Sequence, residues 1–309
     1  MACSPIFKII VFVGLMYTFN SFKISINKSS DLSLYNTKNN KQCIISSKNK
    51  KSYCNEAEEL FFDGNEFIVN KKLITISPGG YKGFYLLGIL TYLKENYETD
   101  NLVFSGASAG AWNSLFMCYK GDPMSFVYNF LDVNMRKAKS ITELQYFLKY
   151  KLLSTYKTDD FDLRKLFIGV TTFKRFMPNI NIYTDFEDLE DAINCCMASS
   201  HIPLITGGIT NRYKNMFSFD GGFSKYPYLD KERLLHISLS MWDELKGINV
   251  NKSFLKQNLL NIKKFSEFFS ISKNNLLELF DNGYNDAKMH KLHFDNILDR
   301  KIDEDTPEF

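Results

Sequence analysis

The sequence predicts an α/β protein of three layers, α/β/α, built on a mostly parallel central sheet. Two observations carry this expectation. Short apolar runs rich in β-branched residues alternate with longer segments whose apolar positions recur every three to four residues. Glycine-rich turns join such runs to the helices that follow, as the crossovers of a parallel sheet require. The 309 residues suffice for one large domain of this kind with extensions.

The elements follow in order. Lys72-Leu-Ile-Thr-Ile-Ser77 reads as a buried strand, and Pro78 to Gly83 as a turn. Phe84 to Asn96 reads as a helix with Phe84, Leu87, Leu90 and Leu93 on one face. A second unit repeats the scheme, with the strand Leu102 to Ser105, the turn Gly106 to Gly110 and an apolar helix from Ala111 to Cys118. Residues 125–168 read mostly as helix. Asn181 to Thr184 is a strand and Leu189 to Ser199 a helix, with later strands at Phe217 to Phe219 and Leu235 to Leu239. Residues 254–298 have the pattern of amphipathic helix.

The flanks differ from this core. Ile9 to Phe19 is an apolar run after Lys8, long enough for a secretory signal and short of the roughly 20 residues of a spanning helix. No small-x-small cleavage site follows it, so residues 1–22 are expected to be a signal peptide or a membrane anchor. Residues 23–66, rich in Asn, Lys and Ser, read as a flexible linker. The main globular domain is expected over 67–240 and a packed helical extension over 241–309. Localisation is accordingly expected at a membrane or in the secretory pathway.

A net charge of +3 argues against a nucleic-acid partner, and no obligate protein partner is evident. None of the six cysteines forms a CxxC pair, which argues against a zinc site; no metal or other cofactor is expected. Cys43 and Cys54 are placed to bridge in an oxidising compartment. Cys118, Cys195 and Cys196 read as small buried apolar residues.

Two turns and an acid carry the chemistry. Gly79-Gly80-Tyr81-Lys82-Gly83 lies between strand and helix, where backbone N–H groups lack partners and the helix dipole favours an anion. Lys82 adds a cation. Taken alone, the turn suits phosphate binding or a plain strand–helix connection as well, although the G-x-x-x-x-G-K-[ST] spacing is absent. Gly106-Ala107-Ser108-Ala109-Gly110 is a G-x-S-x-G elbow in its required context, with Ser108 as candidate nucleophile. Gly106 and Gly110 keep its flanks small, and the N–H of Ala109 opens the next helix.

Serine needs a proton acceptor. Of the four histidines, His290 and His293 lie in the C-terminal helix, and His236 sits within a strand. His201 follows a helix and is the alternative base of a Ser–His–acid triad. The favoured acceptor is Asp220, which ends an apolar strand and precedes Gly221 and Gly222. Those glycines let the chain turn away and leave the carboxylate facing the cleft. Partial burial would raise it from about 3.9 and improve it as a base.

These motifs, in this order, resemble the patatin-like phospholipase family. The Gly79–Gly83 turn, the Gly106–Gly110 elbow and Asp220-Gly221-Gly222 match its G-G-x-[K/R]-G, G-x-S-x-G and D-G-[G/A] motifs. Ala198-Ser-Ser-His-Ile-Pro203 looks like its A-S-x-x-x-P stretch. The resemblance covers roughly Leu73 to Leu239. It implies a Ser108–Asp220 dyad without catalytic histidine, and an oxyanion hole expected from Gly79, Gly80, Lys82, Gly83 and Ala109. It implies glycerolipid substrates at a membrane surface. Pro78 departs from the family's frequent G-x-G-x-x-G, and it has no N–H to offer. The alternatives are an acyltransferase, a general carboxylesterase or a non-catalytic lipid-binding relative. Ala107 stands where carrier-dependent acyltransferases tend to place histidine.

Overall fold

The computed structural model describes residues 43–48, 52–54, 68, 70–131, 138–174, 177–224, 226–245 and 275–301. The apolar run at 1–22, most of 23–66 and residues 254–274 of the amphipathic stretch lie outside these residues.

Nine strands and eight helices can be followed among the described residues. In chain order they are β1 (Cys43–Ser46), β2 (Ser52–Cys54), β3 (Lys72–Ile76), α1 (Gly83–Asn96), β4 (Leu102–Gly106), α2 (Ala109–Met117), α3 (Pro123–Phe130) and α4 (Ile141–Thr155). There follow β5 (Leu166–Lys174), β6 (Met177–Thr184), α5 (Leu189–Ser199), β7 (Asn211–Tyr213), β8 (Met216–Phe219), β9 (Arg233–Ile237), α6 (Met241–Leu245), α7 (Leu276–Met289) and α8 (Lys291–Asp295).

The sheet runs β2-β1-β6-β5-β4-β3-β9, with the β7–β8 pair attached to β5. It is mixed, and β5, β4, β3 and the edge strand β9 are parallel neighbours. Flanking helices complete the expected three layers. The period-two alternation of side chains divides the strands between two cores. Leu73, Val103, Phe167 and Ile182 join a small cluster, while Ile74, Phe104, Ile168 and Tyr183 join the large one.

Two expectations need correction. The presumed linker contains β1, which pairs in parallel with β6, and β2, which pairs with β1. Four residues, Cys43-Ile-Ile-Ser46, suffice because Ile44 is buried in the small core. Their Asn- and Lys-rich neighbours conceal so short a run. Ser46 Oγ donates to Asp185 at 2.7 Å, and Ser47 Oγ donates to Asp191. Cys43 is disulfide-bonded, and the register sets Cys54 opposite it.

The second correction concerns residues 125–168, where helix ends at Thr155 and β5 begins at Leu166. Strand β5 is central, so Leu166, Phe167, Ile168 and Val170 are all buried. A strand covered on both faces lacks the alternation that identifies a half-exposed one.

The C-terminal helices pack on α1. A Cβ on Gly88 would lie 2.1 Å from the Phe280 carbonyl oxygen, and one on Gly283 would lie 1.9 Å from that of Tyr85. Trp242 Nε1 donates to Tyr85 Oη at 2.7 Å, fastening α6 to the same helix. No helix among the described residues is long and apolar enough to cross a membrane.

Candidate active site

Strands β3 and β4 are parallel neighbours, so their turns emerge side by side. The β4 turn is unusually tight. A Cβ on Gly106 would lie 2.1 Å from the Gly110 carbonyl oxygen, and one on Gly110 would lie 2.1 Å from that of Ile76. No larger residue fits either place without moving backbone. Between them Ser108 stands at φ 54°, ψ −124°. Such a conformation in a non-glycine residue costs about 1–3 kcal/mol and persists only when the surroundings hold it.

Asp220 follows β8, which pairs with β5. Ser108 Oγ donates to Asp220 Oδ2 at 2.6 Å, and the Gly222 N–H donates to Oδ1 at 2.7 Å. Both side chains are nearly enclosed, Ser108 at 7% and Asp220 at 5% exposure. Burial pushes the Asp220 carboxyl up to about 6, against the lowering effect of its bonds from Ser108 and Gly222. A carboxylate so placed can accept a proton from the serine hydroxyl near neutral pH.

The glycine-rich turn divides into two parts. The Lys82 N–H donates to the Gly79 carbonyl, and the Gly83 N–H to those of Gly80 and Tyr81. The backbone N–H groups of Lys82 and Gly83 are thus used inside the turn, which corrects the expected place of Gly83 among the oxyanion donors, whereas Lys82 is expected there as a cation. Gly83 has another reason to be glycine, since its Cβ would lie 2.6 Å from that of Ala109. Its carbonyl accepts Asn113 Nδ2 at 3.0 Å, tying the turn to α2. Among the described residues, the N–H groups of Gly79, Gly80 and Ala109 donate to no protein acceptor. Gly80 sits at φ 53°, where the turn favours glycine.

His201 takes part through its backbone. Its carbonyl accepts the Asp220 N–H at 2.8 Å. Its ring is hydrogen-bonded to the Ile209 backbone, and Nε2 has no partner among the described residues. Burial lowers its pKa and keeps the ring neutral. His236 bonds Thr75 Oγ1 at 2.8 Å, and burial holds it at about 4, a structural place inside the sheet. His290 stacks on Trp242 in the C-terminal layer.

Sequence reasoning missed Ser199. Its Oγ accepts the Ser108 N–H at 2.9 Å and donates to the Gly169 carbonyl at 2.7 Å. The available signal was the Ala198-to-Pro203 stretch, noted for its resemblance but given no task. Among the described residues no three metal-binding side chains converge.

A buried carboxylate bonded to a strained serine hydroxyl, beside unpaired N–H groups, has the chemistry of ester cleavage through a serine nucleophile. A family model described as patatin-like phospholipase matches residues 74–230, just over half of the chain. The chain belongs to the patatin-like phospholipase family, whose members are lipid acyl hydrolases. No curated protein matches it.

Proposed function

We propose that this protein is a lipid acyl hydrolase of the phospholipase A type, with Ser108 as nucleophile and Asp220 as proton acceptor. The 2.6 Å bond between their side chains carries the reading. Ser108 Oγ attacks the ester carbonyl while Asp220 takes its proton. The developing oxyanion is held by the N–H groups of Gly79, Gly80 and Ala109. The carbon–oxygen bond to the lysolipid breaks, and the leaving oxygen takes the proton from Asp220. Asp220 then removes a proton from water, whose oxygen attacks the acyl-enzyme. The fatty acid leaves and Ser108 recovers its proton. No step calls for a metal or cofactor.

Glycerolipid at a membrane surface is the substrate best supported. Leu204, Ile209, Met216 and Phe217 are exposed on the chain between His201 and Asp220. That chain carries Arg212 and has no carboxylate from Ala192 to Phe219, while its Lys214 is paired with Glu187 and Asp191 at 3.1 Å. Exposed apolar side chains on one short stretch of chain suit a lipid surface.

The test is a lipid panel with products resolved by mass spectrometry, wild type beside Ser108→Ala. Wild type is expected to release fatty acid and lysolipid, and a folded Ser108→Ala protein neither. Equal turnover by both would refute the nucleophile. A wild type that binds lipid without cleaving it, and does not react with a serine-directed phosphonate, would mark a lipid-binding relative.

A further inference from the structure

The end of α5 holds the backbone of both candidate dyad residues. Ser199 is fully buried, and its Oγ joins the Ser108 N–H to the Gly169 carbonyl of β5. Two residues later the His201 carbonyl takes the Asp220 N–H. The side chains that meet at 2.6 Å are therefore anchored through their own amides to two residues, Ser199 at the end of α5 and His201 just beyond it. Gly169 closes the circuit. A Cβ on Gly221 would lie 2.3 Å from the Gly169 carbonyl oxygen, so the group that binds Ser199 also abuts the turn after Asp220.

We propose that Ser199 is a positioning residue of this site, whose hydroxyl holds the Ser108 backbone against β5 and so sets the distance from Ser108 Oγ to Asp220. The proposal rests on reading Ser108 as the nucleophile.

The physical case begins with the strained elbow. Ser108 precedes the first residue of α2, where an N–H has no partner within the helix. Its positive φ must be maintained from outside. A hydroxyl both accepts and donates, so Ser199 satisfies an N–H and a carbonyl at once, and alanine would satisfy neither. The arrangement also removes the Ser108 N–H from the pool of oxyanion donors. Ser200 provides the contrast. Its Oγ accepts Trp112 Nε1 at 3.1 Å and donates to the Cys196 carbonyl at 2.8 Å, and it touches neither member of the dyad.

The experiment compares Ser199→Ala and Ser200→Ala with wild type on a soluble short-chain ester. Ser199→Ala is expected to lower kcat by about 10- to 100-fold with KM little changed, as sub-ångström misplacement of a nucleophile does. Ser200→Ala is expected to keep kcat within about 2-fold, since its bonds lie outside the reacting geometry. Wild-type kcat in Ser199→Ala, or equal losses in both variants, would overturn the positioning role. Should Ser199→Ala not fold, amide hydrogen exchange at Ser108 in the wild-type protein decides. Strong protection is expected, and exchange at the rate of an open turn would overturn the proposal. Absence of wild-type turnover on any ester would sink the hydrolase reading itself, a result separate from these.

Discussion

Pro78 closes off the place a side chain on Gly222 would take: a Cβ there would lie 3.2 Å from the Pro78 ring and 2.9 Å from Asp220 Oδ1. The turn that presents unpaired N–H groups and the turn that presents the carboxylate thus pack as one unit. The departure at Pro78 removes an N–H but supplies a wall against which Asp220-Gly-Gly is set. Gly222→Ala is expected to displace the carboxylate and lower kcat/KM on a soluble ester by about 10-fold or more. Steady-state kinetics check this, and unchanged kcat/KM would show that the turn has room to spare.

Under the proposed mechanism Asp220 links activity to pH. It must be ionised to act as a base, so the acid limb of kcat/KM is expected near pH 6. A limb near pH 4 would contradict the role.

The same shift affects stability with the opposite sign. The folded carboxyl holds its proton up to about 6, against 3.8 in an ordinary carboxyl. Stability from this group is therefore full below 3.8 and is lost as pH rises through about 6. Two pH units correspond to about 3 kcal/mol. Asp220→Asn, which cannot ionise, is expected to be inactive yet more stable than wild type at pH 7.5. The difference should vanish near pH 4. Urea unfolding of both proteins at the two pH values measures it, and a pH-independent difference would rule the linkage out.

The His201 ring contacts neither member of the dyad by hydrogen bond, while its carbonyl holds the Asp220 amide. His201→Ala keeps that carbonyl. It is expected to retain activity within about 10-fold of wild type, because the proposed general base is Asp220. Complete loss in a folded variant, with Asp220→Asn active, would restore the triad.

The C-terminal layer depends on two glycines. A Cβ on Gly283 would collide with the Tyr85 carbonyl, so Gly283→Ala must separate α7 from α1. A cost of about 1–3 kcal/mol is expected from such overpacking. Denaturant titration reads it, and a neutral result would show that the helices slide apart freely.

Much of this protein follows from residues close together in the chain. The elbow at Gly106 to Gly110, the glycine turn at Gly79 to Gly83 and the Asp-Gly-Gly turn were legible because turn conformation depends on local sterics. The helices at 83–96 and 189–199 were legible from spacing alone. Other features depended on partners far along the chain. Ser108 meets Asp220 across 112 positions and Ser199 across 91, and β1 reaches β6 across more than a hundred residues. Neither Ser199 nor Cys43-Ile-Ile-Ser46 announces its task, because a hydroxyl or a short apolar run fits many surroundings. Which N–H groups of the glycine turn remain available was likewise decided by hydrogen bonds closed only in the folded turn. Local chemistry determined what each segment offered. Packing of the parallel strands decided which offers met, since only the folded sheet brings distant backbone groups within hydrogen-bonding distance.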